Sequence, residues 1–124
     1  MVMPRSGPAP VIIVVDDDAA VLQAMARDLL LEGFAVHTAM SGPDALALVE
    51  DLRSPMDLVV TDIRMEPMDG MALAAELLAR GKASRFLFVT GFGTSAEYDP
   101  SYGPLLPKPF TPDRLVEAVT HLLF

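Results

Sequence analysis

Polar residues with chemical capacity stand directly behind the apolar runs of this 124-residue chain. Asp16, Asp17 and Asp18 follow the run 11–15, Asp62 comes shortly after 58–60, and Thr90 follows 86–89. Lys108, one of only two lysines, stands between Pro107 and Pro109. If Asp16, Asp17 and Asp62 converge, their carboxylates repel until one takes a proton or the group binds a cation. Oxygen-only ligands suit Mg²⁺, which prefers octahedral sites at about 2.0–2.1 Å and keeps some of its waters. A fixed Lys108 ammonium beside them would stabilise an incoming phosphoryl group, and the Thr90 hydroxyl could donate to one of its oxygens. A nucleophilic aspartate, a divalent cation, a lysine and a hydroxyl together make a phosphoryl-transfer site. Each part also has a plainer reading. Anionic side chains suit helix starts, which is the role expected of Asp18. Lys108 alone is a surface lysine and Thr90 a strand threonine. The Lys108–Pro109 bond is of the kind that context can lock as cis.

Convergence requires a scaffold, and the hydropathy pattern supplies one. Continuous apolar runs at 11–15, 58–60 and 86–89 suit strands covered on both faces. The stretch 34–39 is mixed, as an edge strand would be, and Leu105–Pro107 stands where a fifth strand belongs. Between them lie helical stripes. Val21, Leu22, Met25 and Leu29 form the first, ending near Gly33. Ser41 caps a second, with Pro43 in its first turn. Met71, Ala74 and Leu77 form a third, stopped by Gly81, and Thr111 and Pro112 open the last. Alternating strands and helices with short links imply an α/β parallel sheet with helices on both faces. In the strand order 2-1-3-4-5, the first and third strands are neighbours and their carboxyl ends bring Asp16, Asp17 and Asp62 together. Such sheets place their sites at that end.

Composition narrows the partners. The length fits one domain, read as 11–124 behind a mobile Pro/Gly/Ser-rich leader over 1–10. The chain has no cysteine, so neither disulfides nor thiolate chemistry contribute. His37 and His121 stand far apart and leave little for a zinc site. Seventeen acidic against nine basic residues give a net charge of −8, which argues against direct nucleic-acid binding. No apolar run approaches the ~18 residues of a membrane span, so no membrane insertion is expected. The first ten residues lack the apolar core of a signal peptide, which gives a cytoplasmic reading.

Four segments in this order, VVDDD at 14–18, VVTDIRMEPMDG at 59–70, FVTG at 88–91 and LPKPF at 106–110, resemble the receiver domain of two-component signalling. The resemblance covers residues 11–123. It implies a flavodoxin-like fold and a phosphoryl-accepting switch rather than a turnover enzyme, although receivers promote their own phosphoryl transfer and hydrolysis. It also implies that Asp62 takes the phosphoryl group from a phosphohistidine of a histidine kinase or histidine phosphotransfer protein. Asp17 and Asp62 would bind Mg²⁺ (or Mn²⁺) through their side chains, Arg64 through its backbone carbonyl and Asp16 through a water. Thr90 and Lys108 would sense the phosphoryl oxygens, Arg64 and Phe92 would tune the lifetime, and an output protein of unknown identity would read the result. Two other classes compete: a haloacid-dehalogenase-type phosphohydrolase with Asp16 as nucleophile, and a docking module independent of phosphorylation.

Three departures from the family pattern stand out. Met65-Glu66-Pro67 places the proline one residue later than usual. Leu105 occupies the position of the usual aromatic switch residue. The Gly/Pro/Asp-rich stretch 91–104 is a poor helix former, so the fourth helix is expected to be shortened or missing. Tyr98 and Tyr102 within it read as surface residues, with the alternative that one supplies the missing aromatic. This linker resembles receivers of hybrid histidine kinases, and a family of stand-alone regulators is the other candidate. The chain ends after its last helix, so it is read as either excised from a longer protein or acting by docking alone.

Overall fold

The three continuous apolar runs form the middle of a parallel sheet. The computed structural model describes residues 7–91 and 98–124. Their elements are β1 (Val11–Val15), α1 (Ala19–Leu31), β2 (Ala35–Ala39), α2 (Gly42–Asp51), β3 (Leu58–Asp62), α3 (Gly70–Ala79), β4 (Phe86–Thr90), β5 (Leu105–Pro107) and α4 (Pro112–Leu123). The strands pair in parallel in the order β2-β1-β3-β4-β5, the expected arrangement. Val15 stands opposite Ala39 and Thr61, Asp62 opposite Val89, and Thr90 opposite Pro107. This register brings the carboxyl ends of all five strands to one rim.

Both faces of the sheet are covered, which explains why the central strands do not alternate apolar with polar. Ile13, Val15, Val59, Phe86 and Phe88 pack with α2 and α3 on one side. Ile12, Val14, Leu58, Val60 and Leu87 pack with α1 and α4 on the other. Each helix starts on a residue whose side chain accepts from the first-turn N–H groups: Asp18, Ser41, Asp69 and Thr111. Gly33 and Gly81, at φ +95° and +68°, take the left-handed conformation just past α1 and α3.

Two strands run further than hydropathy indicates. β3 continues through Thr61 to Asp62 and β4 ends on Thr90, so two of the candidate site residues lie within the ladder itself. Of the expected leader, residues 1–6 lie outside the described residues. The Pro10 carbonyl accepts from Ala35 N–H at 3.0 Å, and the Asp57 carboxylate accepts from Val11 N–H at 2.7 Å. No helix among the described residues is long and apolar enough to cross a membrane.

Among the described residues no helix lies between β4 and β5; residues 92–97 of the linker, Phe92 included, lie outside them. Residues 98–103 instead fold into a turn in which Gly103 N–H donates to the Pro100 carbonyl at 3.2 Å. Tyr98 and Tyr102 are not the surface residues expected. Tyr98 meets Phe88 edge-on at 6.1 Å between ring centres, Tyr102 meets Phe86 at 6.4 Å, and the Tyr98 hydroxyl donates to the Gly103 carbonyl at 2.7 Å. The reason lies in β4, whose Phe86 and Phe88 need an apolar cover that an aperiodic segment supplies through two rings. Tyr98→Phe is expected to cost about 1 kcal/mol, the net worth of one hydrogen bond. Tyr98→Ala should cost clearly more, because the ring contact goes too; chemical denaturation of both variants measures the difference.

Candidate functional site

β1 delivers Asp16 to the rim with no solvent exposure, and both of its carboxylate oxygens are engaged. Oδ1 accepts from Asp18 N–H at 2.9 Å and Oδ2 from Lys108 Nζ at 2.8 Å. Asp18 is the N-cap of α1, as expected, accepting from Ala20 N–H at 3.0 Å and Val21 N–H at 3.3 Å. Asp17 lies between the two and faces solvent. Asp62, the last residue of β3, accepts from Arg64 N–H at 3.2 Å on Oδ1 and from Lys108 Nζ at 3.2 Å on Oδ2. One carboxylate oxygen each from Asp16, Asp17 and Asp62 lies within 4.8 Å of the others.

Lys108 reaches the cluster from the end of β5. Its N–H donates to the Thr90 carbonyl at 2.8 Å, and its peptide bond to Pro109 is cis. Glu66–Pro67 in the β3–α3 loop is cis as well. Thr90 is 3% exposed, and its buried Oγ1 has no hydrogen-bond partner among the described residues. A buried hydroxyl in that condition is uncommon and calls for a ligand or a function.

Three carboxylates share the rim with one ammonium, which touches Asp16 and Asp62. Burial pushes the Asp62 carboxyl above its ordinary value; Lys108 opposes this and Asp16 adds to it. Burial acts on Lys108 in the opposite sense, lowering it, but the hydrogen bond and attraction from Asp16, followed by those from Asp62, hold it above its ordinary value. Lys108 therefore stays charged, and the cluster keeps excess negative charge that a hard cation would offset. The all-oxygen donor set fits Mg²⁺ or Mn²⁺. An open cleft of about 420 Å³ adjoins the cluster, lined by Asp17, Arg64, Glu66, Pro67 and Asp69 among others.

The structure thus brings together Asp16, Asp17, Asp62 and Lys108, places Thr90 at the end of the neighbouring strand, and sets Arg64 two residues beyond Asp62 on the cleft wall. Leu105, opposite Phe88 in the ladder, packs with the α2–α3 side of the core. Two contributors were not foreseen. A Cβ at Gly70 would fall inside contact distance of the Asp62 carbonyl oxygen, so the glycine permits the close return of the chain over the end of β3. Thr61 is fully buried and donates its hydroxyl to the same carbonyl at 2.9 Å. Both lay inside the motif at 59–70 already noted, but nothing in local hydropathy marks the role of either.

A five-stranded 2-1-3-4-5 sheet with an acidic cluster and a lysine at its carboxyl rim defines a flavodoxin-like site domain, and the comparisons make the class specific. Residues 12–120 match the model of the response regulator receiver domain. The sensor kinase CckA of Brucella abortus is 38% identical over 123 residues, covering 95% of this chain. The chain spans only 13% of that relative's length. Among solved structures, the receiver domain of the hybrid histidine kinase CckA is similar at a TM-score of 0.77 and 32% identity, over 92% of this chain and 99% of that one. The response regulator TrrA of Thermotoga maritima, solved in complex with Mg²⁺-BeF, is similar at a TM-score of 0.78 and 28% identity, over the same shares. The chain belongs to the response regulator receiver family of two-component systems.

Proposed function

We propose that this domain is a phosphoryl-accepting switch in which Asp62 is the acceptor and a phosphohistidine on a histidine kinase or histidine phosphotransfer protein is the donor. The observation that carries the reading is Lys108 bridging Asp16 and Asp62 at the strand ends, beside a Thr90 hydroxyl without a partner among the described residues. An Asp62 carboxylate oxygen forms a bond to phosphorus as the bond from phosphorus to the donor's imidazole nitrogen breaks. The electron pair of that bond stays on the nitrogen, and the imidazole leaves neutral when its other nitrogen already carries a proton.

The rest of the site serves that exchange. The Lys108 ammonium transfers its second hydrogen bond from Asp62 to a phosphoryl oxygen while keeping Asp16. Thr90 gains through another phosphoryl oxygen the partner it lacks. Asp16, Asp17 and Asp62, with the Arg64 carbonyl, would hold Mg²⁺ or Mn²⁺, which when bound screens the carboxylates against the phosphoryl oxygens. The TrrA complex with Mg²⁺-BeF supports this use of a related site. Moving Thr90 and Lys108 shifts the populations of two conformations, and an output protein docks better on one of them. The switching unit is read as 11–124.

The test is to incubate the chain with phosphoramidate and Mg²⁺ and to map the acyl phosphate by peptide mass analysis. Modification at Asp62 is expected. Modification at Asp16 would instead identify a haloacid-dehalogenase-type phosphohydrolase. No modification, together with no Mg²⁺ binding in calorimetry, would identify a docking module that works without phosphate.

A further inference from the structure

A hydroxyl occupies a position in β3 where the packing asks only for a methyl group. Thr61 is 0% exposed, on the side of the strand that carries Val59 and Ile63, and its ladder neighbours are Val15 and Phe88. Valine has nearly the same shape and suits a strand equally well, so the hydroxyl contributes nothing to the fit. A buried hydroxyl is retained where it is hydrogen-bonded, and this one donates to the carbonyl oxygen of Asp62 at 2.9 Å.

Both ends of Asp62, carbonyl and carboxylate, are closely surrounded. Gly70 closes over it so tightly that a Cβ would overlap the oxygen, and the Gly70 N–H donates to the next carbonyl, that of Ile63, at 2.8 Å. On the side-chain end, Arg64 N–H donates to Asp62 Oδ1 and Lys108 to Oδ2. Only two torsions separate the Asp62 carboxylate from its backbone, so the tilt of the Asp62 peptide plane determines where its oxygens can reach. Alignment matters in such reactions: a misplacement of about 1 Å can cost ~10²-fold in rate.

We propose that Thr61 is a positioning residue for the acceptor, its hydroxyl fixing the Asp62 peptide plane so that the carboxylate is aimed at the incoming phosphorus. The proposal rests on the reading of Asp62 as acceptor and assigns to the residue behind it a role exerted entirely through that carbonyl. A merely structural threonine would affect stability alone; a positioning one sets the rate in a folded protein.

The experiment uses the full chain as wild type, Thr61→Val and Thr61→Ser, with phosphoramidate as donor and saturating Mg²⁺. Intact-mass spectrometry follows the rate of uptake, calorimetry gives Mg²⁺ affinity, and thermal melts verify folding. Thr61→Val is expected to take up phosphate more slowly by on the order of tenfold, short of the ~10²-fold cost of a full 1 Å misplacement. Mg²⁺ is kept saturating for each variant at its own measured affinity, and Thr61→Ser should restore the rate. Uptake by folded Thr61→Val at the wild-type rate overturns the proposal, as does a folded Thr61→Ser as slow as the valine variant. Should Thr61→Val fail to fold, Thr61→Ala against Thr61→Ser makes the same comparison. A wild-type chain that takes no phosphate refutes the acceptor reading itself, which separates the two failures.

Discussion

Asp62→Asn is expected to abolish phosphoryl uptake and, in the same protein, to raise the melting temperature of the metal-free form at neutral pH. The first effect is the loss of the only oxygen nucleophile that β3 delivers beside Lys108. The second follows from electrostatics. The folded environment holds the Asp62 carboxyl above its ordinary value chiefly by burial, which the attraction of Lys108 only partly offsets, and Asp16 adds repulsion. The fold therefore prefers the protonated acid. Its contribution is fully present below the pKa of the unfolded chain and is lost as pH rises through the folded pKa. At neutral pH the ionised group opposes folding, and an amide of nearly the same shape removes that opposition while Lys108 keeps Asp16 as partner. Melts across acid and neutral pH should show the variant ahead at neutral pH and the gap closing as pH falls toward the ordinary carboxylate range. A variant less stable than wild type at neutral pH would show that the bond to Lys108 outweighs the cost of burying the charge. Added Mg²⁺ should narrow the neutral-pH gap too, because it stabilises whichever folded chain binds it more tightly.

Gly70→Ala is expected to be the most damaging single methyl in the described residues next to the site. The added Cβ meets backbone, the Asp62 carbonyl oxygen and Ile63 Cα, which no rotamer change can clear. Overpacking of this kind costs about 1–3 kcal/mol and occasionally more, and here the relief must come from moving the end of β3. Stability and phosphoryl uptake should therefore fall together. Gly42→Ala is the control. Its Cβ would meet the Met68 side chain, the sulfur at 2.8 Å and Cβ and Cγ at 3.0 Å, and of these the thioether end can turn away while Cβ must give by a few tenths of an ångström. Denaturant unfolding of both variants should place Gly70→Ala well below Gly42→Ala, with uptake largely preserved in the latter. Equal losses would show that the Asp62 end of the strand is softer than its contacts indicate.

The strand order and the convergence of Asp16, Asp17, Asp62 and Lys108 were legible because a parallel sheet allows few alternatives. Strands buried on both faces leave continuous apolar runs, and the polar residues that terminate those runs must share one rim. What escaped has physical causes. Hydropathy ended β3 at Val60, because Thr61 and Asp62 are polar by type; that Thr61 is paired to the next carbonyl is a fact of geometry without a trace in composition. That no helix lies between β4 and β5 among the described residues was foreshadowed by the glycines and prolines of the linker. The inward turn of Tyr98 and Tyr102 was not, since a segment without period presents no face to read. Their partners Phe86 and Phe88 lie on a strand, and only the register of the sheet shows which side of it was left for the linker to cover.

That linker has a spectroscopic consequence. The chain contains no tryptophan and only two tyrosines, Tyr98 and Tyr102, and both rings rest on alternate residues of β4 whose next member on the same side is Thr90. Tyrosine emission from the folded chain therefore originates in one short segment, whose Tyr98 rests two strand residues from Thr90. Without any label attached, the molecule carries an optical gauge mounted on the strand that ends at its site.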